Sequence, residues 1–309
     1  MGVEPRCCAG VDPVTMMELM LRPCGRTHCP PGDISAGCAV RQAQLPTVPS
    51  TLLIPLAARA HGARLFPWLD CGDRVAADLL DCLQAPVASY LGDRVAVLNV
   101  LWRTRVLKAW AQAFFSRHAD ATGWSLGCGL SHHFQWLDNG RNRWIDADLY
   151  PVWQLREQLL PESINRRVNR VIDISAHDWW DRMVEFQGSV NGPVFVVCEG
   201  VLMYFQPDQV HRILRTFAER APSGSQLVFD AISHVGVGQA RHSISVGATG
   251  AEFYWGLRDT GELLRLHPRL KLAAMRSASE CYGWLGWATE ATWLPWTGSP
   301  LYAMVALEV

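Results

Sequence analysis

From about residue 123 onward, short apolar runs alternate with longer segments whose apolar residues recur at helical spacing. The run Val194-Phe195-Val196-Val197-Cys198 contains no polar residue, which is typical of a central strand buried on both faces. The pattern predicts seven strands, over 123–126, 143–147, 167–172, 194–198, 227–229, 270–275 and 301–307.

Helical segments fill most of the intervals between these strands. They are predicted over 130–137, 150–160, 176–186 and 207–220, and none is evident between the last two strands. Strands that alternate with helices predict an α/β fold with a doubly wound, mostly parallel, Rossmann-like sheet. The last two strands are expected to form an antiparallel C-terminal hairpin.

The part of the chain before the first strand divides into two segments. Prolines interrupt every periodic pattern in residues 1–50, which predicts a Cys- and Pro-rich tail that is poorly ordered. Residues 51–120 are predicted to form a helical cap, with a long helix over about 99–117. Residues 51–309 would then form one folded domain, in which the Gly-rich stretch within 233–262 is a candidate lid.

The overall composition restricts the kinds of partner that the protein is expected to bind. The chain has 309 residues and a formal net charge of −1, and no long basic run appears, which argues against a nucleic-acid partner. No apolar stretch is long enough to cross a bilayer, and the first residues do not resemble a signal peptide. We therefore expect a cytoplasmic protein without a membrane partner.

The ten cysteines do not predict a disulfide scaffold or a metal site. Cys24, His28, Cys29 and Cys38 could be zinc ligands, but their spacing lacks a CxxC knuckle and no second ligand pair follows. The prediction is that no metal is bound.

A glycine turn, Gly127-Cys128-Gly129, follows the first predicted strand. Ligands of a doubly wound sheet bind outside the carboxyl ends of its strands. Glycines at that edge let the backbone approach a ligand without a clash from Cβ. The turn therefore marks a candidate ligand pocket.

Acidic residues follow the next three predicted strands. Asp146 and Asp148 come at the end of the second strand, and an acid about 20 residues beyond the glycines could accept hydrogen bonds from both hydroxyls of a ribose. Asp173 could take an adenine amino group while Ile174 flanks the ring, and Glu199 follows the fourth strand. The repetition of acids after a glycine turn indicates a nucleoside-containing cofactor.

NAD and S-adenosylmethionine are the competing cofactors. A dinucleotide needs a third small residue to seat its pyrophosphate on the helix, and here that position is His132. The bulky imidazole disfavours NAD but leaves room for a ligand without phosphates. S-adenosylmethionine is therefore the predicted cofactor, and an NAD-dependent oxidoreductase is the less favoured alternative.

The motif Glu199-Gly200-Val201-Leu202-Met203-Tyr204 after a buried strand is the most specific of several that point to one family. From Thr51 to the C terminus the chain resembles the leucine carboxyl methyltransferase family, and within it the bacterial branch of tetracenomycin-type polyketide O-methyltransferases. The other motifs that carry the resemblance are 51–56 with Arg59-Ala60, Arg103-Thr104-Arg105, 126–130 and 148–151.

The resemblance implies a class I S-adenosylmethionine-dependent methyltransferase. It implies that Arg103 binds the carboxylate of the cofactor, with Arg105 as the second choice. It also implies that Gly127 and Gly129 pass under the methionine portion and that Glu199 lies close to the sulfonium. Asp148 would hold the ribose, as the spacing also indicates.

Two departures from the family pattern affect the expected cofactor site. Family members usually read Gly-Leu-Asp-Thr-Arg where this chain reads Gly129-Leu130-Ser131-His132-His133, and Lys108 stands where an Asp is usual. The losses imply altered cofactor affinity or an impaired member. A non-catalytic protein that binds the cofactor or a partner is therefore the main alternative.

The predicted reaction is methyl transfer to an oxygen of a small acceptor, for example a polyketide-like molecule. A carboxylate needs no base at neutral pH, whereas a phenol benefits from one. Tyr204, His234 and His242 are the candidates for orienting or deprotonating the acceptor. An aromatic wall against a planar acceptor is a further hypothesis, formed by Trp284, Trp287, Trp293 and Trp296.

Overall fold

A single mixed sheet organises the protein. The computed structural model describes residues 50–85, 87–160, 165–188, 190–247 and 249–309. The strands within them are Thr122–Leu126 (β1), Arg143–Asp148 (β2), Arg167–Val171 (β3), Val194–Cys198 (β4), Gln226–Ile232 (β5), Lys271–Ser277 (β6) and Tyr302–Glu308 (β7).

The strand order is β3-β2-β1-β4-β5-β7-β6. Strands β1 to β5 are parallel, β7 is antiparallel to β5, and β6 is antiparallel to β7. The order reverses between β1 and β4, so the crevice of a doubly wound sheet lies above these two strands. The predicted parallel sheet with an antiparallel C-terminal pair is confirmed.

Helices cover both faces of this sheet and form the cap. They are Ser50–His61 (α1), Arg74–Leu83 (α2), Val87–Leu91 (α3), Arg94–Arg117 (α4), Phe134–Leu137 (α5), Tyr150–Leu159 (α6), Trp179–Gln187 (α7), Pro207–Arg220 (α8), Ile244–Gly247 (α9), Thr260–Arg265 (α10) and Gly283–Thr297 (α11).

Strand β4 shows why the apolar run predicts a central strand. Every residue of β4 is buried. Val194, Val196 and Cys198 belong to the core on the α7 and α8 side of the sheet, whereas Phe195 and Val197 belong to the core on the α4 side. Alternate residues of a strand point to opposite faces, so both faces require apolar side chains here.

The cap is built from the N-terminal helices, as predicted. Helix α4 begins at Arg94, about five residues before the predicted start, because the side chain of Asp93 accepts a hydrogen bond from the backbone amide of Ala96 and caps the helix. Asp73 caps α2 in the same way. Helices α1, α2 and α6 share a third apolar cluster that contains Leu56 and Leu79.

The predicted helix over 130–137 is wrong in its first half. Helix α5 begins only at Phe134. The carbonyl groups of Gly129 and Ser131 both accept hydrogen bonds from the guanidinium group of Arg156, at 2.7 Å each. The guanidinium group thus holds the segment before the helix.

Helix α11 is also a correction, because no helix was predicted between the last two strands. Its apolar residues surround the helix instead of forming one stripe, so the periodicity that marks an amphipathic helix is missing. Three of its tryptophans are largely exposed: Trp284 at 77%, Trp287 at 72% and Trp296 at 90%.

Three predictions concern the N-terminal tail, metal binding and membrane-spanning helices. The tail over 1–49, and with it Cys24, His28, Cys29 and Cys38, lies outside the described residues. Within those residues, no group of three or more His, Cys, Asp or Glu side chains is placed to hold a metal ion. None of the described helices is both long enough and apolar enough to cross a bilayer.

A buried ion cluster joins β2, β3 and α6 beneath the candidate pocket. The carboxylate of Asp146 lies 2.6 Å from Arg156 and 3.1 Å from Arg167, and accepts a hydrogen bond from the indole of Trp144. Burial raises the pKa of Asp146, but the two guanidinium groups outweigh burial and hold the pKa below its usual range. The cluster fixes Arg156 under the glycine turn.

We predict that Asp146→Ala lowers the free energy of unfolding by about 3–5 kcal/mol, because two buried guanidinium groups lose their counter-charge. Urea denaturation measures this. The control is Asp120→Ala, which removes an exposed ion pair with Arg141 and should leave stability nearly unchanged. Equal effects of the two substitutions would contradict the assignment.

Candidate functional site

A cavity of about 1580 Å³ opens at the carboxyl ends of the parallel strands, between the sheet and the cap. Ligand pockets usually have volumes of about 300–1,000 Å³, so this cavity has room for two molecules at once. It is lined by all the residues predicted to bind the cofactor, namely Arg103, Gly127, Cys128, Gly129, Asp148, Asp173, Ile174 and Glu199.

The glycine turn forms the floor of the cavity. Gly127 and Gly129 have φ angles of +66° and +53°, which only glycine adopts readily. A Cβ atom on Gly127 would lie 2.6 Å from Val201. The backbone therefore reaches this position only because both residues lack a side chain.

Asp148, the last residue of β2, fixes the turn from the side. One carboxylate oxygen accepts a hydrogen bond from the amide of Gly129 and the other from the amide of Leu149, both at 2.8 Å. Burial raises the pKa of Asp148 even though these two amides favour its charged form. Each oxygen keeps a second lone pair that a ligand hydroxyl can use.

Asp173 and Ile174 follow β3 and line the same cavity. One oxygen of Asp173 accepts hydrogen bonds from both the amide and the hydroxyl of Ser175, at 2.8 and 2.7 Å. These bonds fix the carboxyl group in place. Ile174 is buried and offers an apolar surface beside it.

Arg103 lies on α4 and is held by three partners. Its Nε donates to Glu199 at 2.8 Å, and its Nη1 donates to Asp230 and to the hydroxyl of Tyr302, both at 3.0 Å. Burial lowers the pKa of Arg103, but the neighbouring Tyr302, Asp230 and Glu199 outweigh burial and raise it well above its usual value. Among the described residues, Nη2 has no hydrogen-bond partner.

Glu199 lies between Arg103 and His133. One of its oxygens accepts from Arg103, and the other lies 2.9 Å from Nε2 of His133. Burial raises the pKa of Glu199, but Arg103 and His133 outweigh burial and hold it well below its usual range. Glu199 is therefore a carboxylate at neutral pH.

Gly200 allows Glu199 and Arg103 to meet. Its φ angle is +69°, and a Cβ atom there would lie 3.0 Å from Nη2 of Arg103. Its amide donates to Asp230 at 2.5 Å. The glycine of the Glu199-Gly200 motif therefore serves both the turn and the approach of the guanidinium group.

Arg105, the second choice for the cofactor carboxylate, lies away from the cavity. It points into a smaller surface pocket and donates to the carbonyl of Trp68 at 2.6 Å. Residues two apart on a helix do not share a face, so Arg103 and Arg105 could not both point into the cavity.

The three residues predicted to orient or deprotonate the acceptor differ in their relation to the cavity. Tyr204 lines the cavity, and burial raises its pKa to about 12. His234 is not among the cavity-lining residues, and the side chain of His242 lies outside the described part of the structure. Of the two whose side chains the structure describes, Tyr204 is the one that lines the cavity.

The predicted tryptophan wall is wrong. None of the four tryptophans of α11 lines the cavity. Trp293 packs at the end of the helix, where its indole donates to the carbonyl of Ser299. The aromatic residues that do line the cavity are Tyr204, Phe205, Phe253, Tyr254 and Tyr302.

The candidate lid covers one side of the cavity. Ser243, Ile244, Val246 and residues 249–254 contribute to the lining. The backbone amides of Tyr254 and Trp255 both donate to the carbonyl of Met203, which ties this segment to the Glu199 loop. Opening of the segment stays a prediction.

Several site residues were missed by the sequence analysis. Asp230 lies in β5, and inspection of the fifth strand, as of the first four, would have found it. Tyr302 lies on the antiparallel β7 and carries no such signal. Arg59 lines the cavity, is paired with Asp73 at 2.9 Å, and has a buried Nη1 atom without a partner among the described residues.

The imidazoles that replace the usual family residues do not obstruct the cavity. Neither His132 nor His133 is among its lining residues. His133 is buried behind Glu199, and burial lowers the pKa of His132 to about 4, so His132 is neutral at neutral pH. The substitutions therefore leave the space above the glycine turn open.

The parallel sheet with an antiparallel C-terminal pair, a glycine turn after β1 and acids at the next strand ends define a class I methyltransferase site. Residues 54–218 match the model of the leucine carboxyl methyltransferase family. The chain belongs to this family. The prediction of an S-adenosylmethionine-dependent methyltransferase is thereby confirmed.

Two relatives agree with this assignment. The chain is 31% identical to the tetracenomycin polyketide synthesis O-methyltransferase TcmP of Streptomyces glaucescens, over 74% of this chain and 82% of that protein. It is 30% identical to the S-adenosyl-L-methionine-dependent methyltransferase dpfgK of Gibberella zeae, over 60% of this chain and 65% of that protein.

Among solved structures, a protein of Thermobifida fusca YX superposes with a TM-score of 0.49 at 16% identity, over 81% of this chain and 95% of that chain. This likeness is too weak to add to the assignment. A small-molecule acceptor fits the family, while the cytoplasmic address and the lack of a nucleic-acid partner stay predictions.

Proposed function

We propose that this protein transfers the methyl group of S-adenosylmethionine to an oxygen, either a carboxylate or a phenolic hydroxyl, of a small polyketide-like molecule. The observation that carries the proposal is one cavity lined both by the charged groups around the glycine turn and by five aromatic side chains. Such a cavity places a charged cofactor and an apolar acceptor side by side.

The cavity-lining residues around the glycine turn fit the cofactor. Nη2 of Arg103 is free to bind its carboxylate, and the backbone at Gly127 and Gly129 leaves space that side chains would fill. Asp148 would accept the ribose hydroxyls, and Asp173 with Ile174 would bind the adenine. Cys128, buried between the two glycines, contributes backbone to the same surface.

The aromatic side chains fit a planar acceptor. Tyr204 and Phe253 lie with ring centroids 5.6 Å apart, and Tyr254 and Phe205 line the same cavity. Rings of this kind offer a large apolar surface to a flat molecule. The name of the relative from Streptomyces glaucescens, which belongs to polyketide synthesis, agrees with such an acceptor.

The reaction depends more on the orientation of the two bound reactants than on acid–base catalysis. When bound, the cofactor supplies an electrophilic methyl group on a sulfonium, and the acceptor oxygen displaces the sulfur in line. The cavity walls hold the acceptor and exclude water, and such positioning can supply roughly 7–11 kcal/mol of the barrier.

Tyr204 acts on the acceptor as a hydrogen-bond donor. Because burial raises its pKa to about 12, it stays protonated at neutral pH and is not a general base. No histidine is found among the described residues that line the cavity. A carboxylate acceptor is already ionised and needs no base, whereas a phenol would need one.

We predict that Asp148→Ala weakens binding of S-adenosylmethionine at least roughly tenfold, because a hydrogen bond to a charged group contributes about 1.5–3 kcal/mol. Isothermal titration calorimetry measures the change. The control is Asp208→Ala, an exposed acid in the first turn of α8. Unchanged affinity in Asp148→Ala would refute the ribose assignment.

The activity itself is tested with cofactor labelled in its methyl group and a panel of aromatic carboxylic acids and phenols. We expect labelled ester or ether products, and a drop of about tenfold in kcat for Tyr204→Phe without a change in cofactor affinity. Tight cofactor binding without transfer to any acceptor would instead favour a non-catalytic protein.

A further inference from the structure

We propose that His133 is a positioning residue for cofactor binding: it holds Glu199, and through Glu199 it orients the guanidinium group of Arg103. The inference rests on the proposed function, because Arg103 is the residue assigned to the cofactor carboxylate. His133 itself stays out of contact with the ligand, since it is not among the residues that line the cavity.

The three side chains form one connected row. Nε2 of His133 lies 2.9 Å from one oxygen of Glu199, and Nε of Arg103 lies 2.8 Å from the other. His133 and Glu199 are both almost fully buried, with side-chain exposures of 2% and 5%. Each oxygen of Glu199 is thus held by one donor, and His133 supplies the donor on the side away from the cavity.

This arrangement decides where Arg103 points. Glu199 fixes Nε, while Asp230 and Tyr302 fix Nη1, so the remaining Nη2 is directed past Gly200. Loss of the donor from His133 would leave a buried carboxylate oxygen unsatisfied, which is costly. We expect Glu199 then to rotate toward other donors and to draw Arg103 out of its orientation.

The packing around His133 does not by itself require a histidine. Its ring lies between the rings of Trp136 and Trp144, with centroid distances of 6.0 and 6.2 Å. Its Nδ1 atom is buried and has no hydrogen-bond partner among the described residues. An apolar side chain would fill this space without burying that polar atom, so the contact with Glu199 is what the histidine adds.

The test compares His133→Gln with His133→Met. The two new side chains have similar length and shape, but only glutamine carries an amide donor that can reach Glu199. His132→Leu is the matched control, because His132 is the neighbouring histidine and neither lines the cavity nor contacts Glu199. Calorimetry with S-adenosylmethionine measures affinity, and thermal unfolding without ligand measures stability.

We expect His133→Met to weaken cofactor binding about tenfold, and His133→Gln and His132→Leu to stay within about threefold of the unmodified protein. Equal affinities for the Gln and Met variants would overturn the proposal. A merely structural role would lower the unfolding temperature of both variants alike without separating their affinities.

A comparison of double variants keeps the proposal testable even if one single variant is unstable. In a Glu199→Met background, the Gln and Met variants of His133 should bind S-adenosylmethionine within about twofold of each other, because no acceptor is left at position 199. An undiminished difference would show that His133 does not act through Glu199 and would overturn the proposal.

These measurements distinguish a failure of this inference from a failure of the proposed function. An unmodified protein that does not bind S-adenosylmethionine would overturn both. Binding and methyl transfer by the unmodified protein, together with unaltered affinity in His133→Met, would overturn the role of His133 alone.

Discussion

The ion cluster around Arg103 is the constraint on which the rest of the site depends. A buried guanidinium group is stable only where carboxylates and hydroxyls surround it, and Glu199, Asp230 and Tyr302 do so here. These partners come from the ends of β4, β5 and β7, so the cluster ties the cap helix α4 to the sheet. The same contacts leave Nη2 of Arg103 without a hydrogen-bond partner among the described residues, at the wall of the cavity.

A second, deeper cluster supports the opposite side of the pocket. Asp146 holds Arg156, and Arg156 in turn holds the carbonyls of Gly129 and Ser131. The glycine turn is thus fixed below by a buried arginine and at its side by Asp148. The Arg103 cluster lies at the carboxyl edge of the parallel strands, and the Asp146 cluster lies deeper in the sheet, where Arg167 begins β3.

The sheet and the grouping of the predicted residues around one cavity could be predicted from the sequence because they depend on local patterns. The apolar run of β4 and the acids after each strand follow directly from burial on two faces and from the position of the crevice. Helix α11 was missed because its apolar residues form no stripe. The link from His133 through Glu199 to Arg103 joins residues 66 and 96 positions apart, and no local pattern reports such a contact.

The central claim is that the cavity above the glycine turn binds the adenosyl cofactor through Arg103 and Asp148. The most direct measurement is a crystal structure of the protein with S-adenosylhomocysteine. We expect the ligand carboxylate to bind Arg103 and the ribose hydroxyls to bind Asp148. A ligand bound with its carboxylate away from Arg103, or a cavity that stays empty at saturating concentration, would contradict it.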